Sequence, residues 1–99
     1  GGDQAFLLEM IDTFVADAPG ILGQMRQAVE RGDAPLLRRS AHSLKSNSRD
    51  FGATTLSQMC LELENMGKES NLDGAADTLS LAEAEYARVA QALQALRQG

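Results

Sequence analysis

An all-α antiparallel bundle is the fold this sequence predicts, and three observations predict it. Leu, Ala, Glu, Gln and Arg dominate the chain, residues that lose little on entering a helix. β-branched residues are few and never alternate over a strand length. Apolar residues recur at helical spacing in segments whose ends coincide with most of the nine glycines and both prolines. At 99 residues the chain is expected to be one domain, 1–99, long enough to bury a single core. The elements predicted below are five helices.

Asp3 can cap a first helix, approximately 3–17, whose apolar face is Leu7, Ile11, Phe14 and Val15. It ends before Pro19, which suits the first turn of a second helix, 19–31, carrying Ile21, Leu22, Met25, Ala28 and Val29. Gly32 and Asp33 read as a helix stop and an N-cap, with Pro35 in the first turn of a third helix, 34–51. Gly52 ends it. A fourth helix, 53–67, places Leu56, Met59, Cys60, Leu63 and Met66 on one face, and Gly67 closes it. Ser70 and Asp73 have capping-box spacing, with Asp in place of Glu or Gln, and introduce a fifth helix, 71–98. There Leu72, Leu79, Tyr86 and Leu93 recur at heptad spacing, with Ala75, Ala82, Val89 and Leu96 as the second set. This is the seam of a helix in a bundle; a free coiled coil is the competing reading, disfavoured by the other short-connected amphipathic helices.

Fourteen acidic groups against nine basic give a net charge of −5, which argues against broad binding to nucleic acid or anionic membrane. No apolar run approaches the roughly 20 residues of a membrane span. Nor does a charged segment precede an apolar stretch in the manner of a signal peptide. Cys60, the single cysteine, cannot form an internal disulfide and suits a reducing compartment. A cytoplasmic, monomeric module is expected. Its start at Gly1 rather than methionine suits a piece of something longer.

The third helix holds the chemistry. Its core stripe is Leu37, Ala41, Leu44, Ser48 and Phe51, and at ~100° per residue His42 points roughly 140° away from that stripe. A lone histidine is ordinarily a core residue or an unremarkable surface one, and here the wheel removes the core option. Arg38, Lys45 and Arg49 share the histidine's face, and Arg39 flanks them. From Ala34 to Arg49 there are four basic residues and no acidic one, whereas the remainder carries five basic and fourteen acidic groups. Solvated helix faces usually mix signs. Cations around an outward imidazole favour its neutral form and stabilise an added anion, as a phosphate-accepting nucleophile requires. Other chemistries lack parts. One histidine and one cysteine make a zinc site improbable. No G-x-x-x-x-G-K-S/T or G-x-G-x-x-G loop is present to cradle ATP or a dinucleotide. Ser43 and Ser46 neighbour the histidine without an evident oxyanion hole.

Ala41-His42-Ser43-Leu44-Lys45-Ser46-Asn47-Ser48, followed by Phe51-Gly52-Ala53, resembles the A-H-x-L-K-G-x-S/A and L/F-G-A signature of histidine-containing phosphotransfer (HPt) domains. Cys60-x-x-Leu63-Glu64-x-x-Gly67-Lys68 is similar to the family's C-x-x-L-E-x-x-G-R/K segment. Gly2-Asp3, with an apolar helix ending in Asp17-Ala18-Pro19, is also family-like, so the resemblance spans nearly the whole chain. It implies an antiparallel four-helix bundle with an additional N-terminal helix, and a phosphoryl carrier without an ATP site, passing phosphate between His42 and a receiver-domain aspartate in a multistep two-component relay. Lys45 matches the family's phosphate-stabilising lysine, and helix geometry adds Arg49. No cofactor is expected in this chain; Mg²⁺ would come from the receiver. The family usually has glycine where this chain has Ser46, one turn after the histidine, so Ser46 bears on how closely a partner docks. The resemblance also implies a parent such as a membrane-bound hybrid sensor kinase with this module at its cytoplasmic C-terminal end.

A docking face follows from geometry. The third and fourth helices should be antiparallel neighbours, which puts residues near 62 level with His42. Ser57, Leu61, Glu64 and Lys68 form a stripe there, joining Arg38, Arg39 and Ser46 as docking candidates. Leu61 is apolar yet off the core stripe, and with Phe6 and Met10 it would make an apolar receiver patch. The alternative function is a helical-bundle interaction module that binds a response regulator or another partner without phosphotransfer.

Overall fold

The computed structural model describes residues 2–98, which form four helices with no strand among them. They are α1 (Gly2–Arg31), α2 (Ala34–Arg49), α3 (Thr54–Lys68) and α4 (Ala75–Gln98). Each packs on its neighbour in sequence, and α4 returns to α1 to close the bundle. The core runs from Ile11 and Met25 of α1 through Leu37 and Leu44, Leu56 and Leu63, to Leu79 of α4, all buried.

The break expected at Pro19 is absent: the segments 3–17 and 19–31 are one helix, so the separate N-terminal helix is an extension of the first bundle helix. Pro19 has no N–H to give the Val15 carbonyl, a loss that normally kinks or ends a helix. Two features carry the helix through. Ala18 and Leu22 are buried on either side of the proline, and the Tyr86 hydroxyl of α4 lies 3.5 Å from the freed Val15 oxygen, at the limit of a hydrogen bond.

The start of the last helix also differs from expectation. Ser70 and Asp73 form no capping box. Ser70 instead terminates α3 in a left-handed conformation, φ 55°. Its amide donates to the Gly67 carbonyl at 3.2 Å and that of Asn71 to Met66 at 3.0 Å, the two bonds of a Schellman motif. The Asn71 side chain then accepts the Asp73 amide, and α4 begins only at Ala75.

Two residues assigned to apolar faces lie in the open, Leu7 at 41% exposure and Leu96 at 65%. The cause is length. α1 has 30 residues and α4 has 24, against 16 and 15 for α2 and α3. Phe14 contacts Phe51 in the α2–α3 turn at a centroid distance of 5.1 Å and Tyr86 at 5.6 Å. Beyond this aromatic layer α1 and α4 run on without α2 and α3 to cover them.

Candidate functional site

Asp33 starts α2 as expected, its side chain accepting the Leu36 amide at 3.1 Å with Pro35 in the first turn. From that start the helix buries Leu37, Ala41, Leu44 and Ser48 completely. Ser48 is satisfied there by donating to the Leu44 carbonyl at 2.6 Å. The same register leaves the His42 side chain 59% exposed on the opposite face.

Gly67 brings α3 against α2. It lies inside α3 rather than ending it, and a Cβ there would stand 2.7 Å from both the Ala34 oxygen and the Arg38 amide nitrogen. This crossing, less than a turn from Glu64, sets that side chain beside His42. His42 Nδ1 is 2.9 Å from Glu64 Oε2, and Lys45 Nζ is 2.6 Å from Oε1. An ionised carboxylate only accepts, so this contact assigns the proton to Nδ1 and leaves Nε2 as the basic nitrogen of the neutral ring. Burial pushes the Glu64 carboxyl upward, but the hydrogen bonds and charges of Lys45 and His42 outweigh that and hold it below the ordinary carboxylate value.

The basic residues that the sequence groups together are divided by the structure. Arg38 and Arg39 line an open depression of about 530 Å³ with His42, Ser43 and Glu64, room enough for a phosphoryl group and an approaching carboxylate. Lys45 does not stand free on the outer face. Its side chain is 13% exposed and turned to Glu64, because a helical wheel gives the direction of Cβ but not the charge on the neighbouring helix. Arg49 is exposed, but it lines a different hollow with Gly52, Thr54, Ser57 and Gln58 at the start of α3, so it is not brought to the histidine.

Ser46 and Leu61 are half-buried and Lys68 is exposed. Phe6 and Met10 line a groove with Phe14, Asn47 and Phe51 between α1 and the end of α2. Leu61 belongs to α3 and does not line this groove. Glu64 is the residue whose place sequence reasoning missed. It was readable as an acid level with His42, but not as the one beneath the ring. Cys60 is fully buried, and burial, with the charge of Glu64, pushes its thiol up to about 12. Among the described residues no three His, Cys, Asp or Glu side chains converge as a metal site would need, and no helix is long and apolar enough to cross a membrane.

Residues 9–99 match the family model described as Hpt domain. The chain is also similar to histidine-containing phosphotransfer protein B (HptB) from Pseudomonas aeruginosa PAO1, known from a crystal structure. The two are 35% identical with a TM-score of 0.88, over 92% of this chain and 79% of that one. No curated protein matches.

Proposed function

We propose that this chain, which belongs to the Hpt domain family, carries a phosphoryl group on Nε2 of His42, to or from an aspartate of a receiver domain. The observation that supports this best is the His42–Glu64 contact at 2.9 Å beneath an otherwise open imidazole. With Nδ1–H held by the carboxylate, the Nε2 lone pair points outward to where a partner's phosphoryl group would arrive. In the forward step the N–P bond forms as the P–O bond to the aspartyl carboxylate breaks, and that carboxylate leaves with the electron pair. No proton moves. The positive charge that develops on the ring is met by Glu64 through the Nδ1–H bond. In reverse the imidazole leaves as a neutral group, its lone pair restored. The transition state is loose, with charge spread over the phosphoryl oxygens, so cations beside it act electrostatically. Mg²⁺ on this reading belongs to the receiver.

The test is transfer itself. A phosphorylated receiver should label the chain with acid-labile, alkali-stable phosphate. Label retained by His42→Gln would sink the proposal.

A further inference from the structure

Arg38 and Arg39 occupy the turn of α2 before the histidine and wall the depression around it. Helical side chains lean towards the N-terminus of their helix, so the imidazole lies over the turn that carries these two arginines. Both are exposed, and neither has an acidic partner at ion-pair distance among the described residues. Lys45 is in the opposite situation. Its side chain is 13% exposed and its ammonium is already paired with Glu64 at 2.6 Å. To reach a phosphoryl group it would have to abandon a largely buried carboxylate and leave that charge uncompensated.

Resting on the reading of His42 as phosphoacceptor, we infer that the phosphoryl group on Nε2 is held by Arg38 and Arg39, and that Lys45 is a positioning residue that acts through Glu64. Two guanidinium forks can bond the phosphoryl oxygens in pairs, which a single ammonium cannot. Lys45 instead keeps Glu64 ionised and in place, so that the ring's proton stays on Nδ1.

Phosphoramidate can load His42 without a receiver, which separates accepting a phosphoryl group from holding it. A full positive charge ~5 Å away in water-like surroundings lowers the pKa of the loaded phosphohistidine by about half a pH unit. In a ³¹P NMR titration at low ionic strength, the double variant Arg38→Gln, Arg39→Gln should raise the midpoint by roughly half to one unit. Arg38→Lys with Arg39→Lys should recover most of that shift. Lys45→Met should move the midpoint less than the arginine pair does, by about 0.3 unit for one charge at ~10 Å, and should also change the ¹⁵N signature of the His42 tautomers in the unloaded chain. A midpoint unmoved in the double glutamine variant, or moved as far by Lys45→Met, overturns the assignment. A wild-type chain that takes no phosphoryl group from phosphoramidate overturns the reading of His42, and the arginine assignment with it.

Discussion

Replacing Glu64 by glutamine keeps the size of the side chain and one acceptor oxygen, but removes the charge shared by Lys45 and the His42 Nδ1–H. A hydrogen bond to a charged group is worth ~1.5–3 kcal/mol, so Glu64→Gln should slow transfer by about one to two orders of magnitude. Quench-flow with a loaded receiver measures it; a rate within twofold of wild type would mean the tautomer needs no carboxylate. The same residue carries a pH signature. Its carboxyl is held below the ordinary value, so the ionised form stabilises the fold fully above about pH 4.3 and loses that effect as pH falls through the lowered folded value. The gap between wild-type and Glu64→Gln melting temperatures should therefore shrink on acidification through that range, and a constant gap would contradict the linkage. His42 was readable as outward-facing because its wheel position depends only on α2. The Glu64 contact was not, because it depends on which flank of α3 turns inward.

Two elements hold features that a helix in isolation would reject. Pro19 sits within the 30 residues of α1 and has no N–H to give the Val15 carbonyl, which has the Tyr86 hydroxyl 3.5 Å away. Alanine there restores the backbone bond, at the expense of some chain stiffness in the unfolded state. Pro19→Ala should stabilise the fold by about 1–2 kcal/mol, seen as a rise in Tm of several degrees. A lower Tm would show that the ring itself is needed where it stands. Gly67 is the reverse case, a helix-weakening residue that tertiary contact requires. Its added Cβ would stand 2.7 Å from backbone atoms of α2, which cannot swing aside as a side chain can. Gly67→Ala should cost about 1–3 kcal/mol. By parting the helices it should also weaken the His42–Glu64 contact, so transfer falls along with stability. Stability lost with transfer unchanged would mean that the crossing does not set the site.

Over the whole molecule, packing follows helix length. The long axis is 46 Å against about 20 Å across, because α1 and α4 outrun the inner pair. Leu96 shows the consequence, 65% exposed although its spacing assigns it to the seam, while Leu79 in the same helix is fully buried. Leu96→Gln should change stability by no more than about 0.5 kcal/mol, whereas Leu79→Ala should cost ~2–5 kcal/mol. Urea unfolding of the two variants checks this, and equal losses would mean that the far end of α4 is covered. By itself the sequence determined the helical class, the cap at Asp33, the core stripe of α2 and the outward histidine in its basic segment. Each depends on local propensity or on the period of one helix. Tertiary structure decided what depends on a second element. It carried α1 through Pro19 under its neighbours' packing, delayed α4 to Ala75 behind the Ser70 turn, and uncovered Leu7 and Leu96. It also drew Lys45 off the surface to Glu64, because where a charge comes to rest depends on the helix opposite, and the period of its own helix does not encode that.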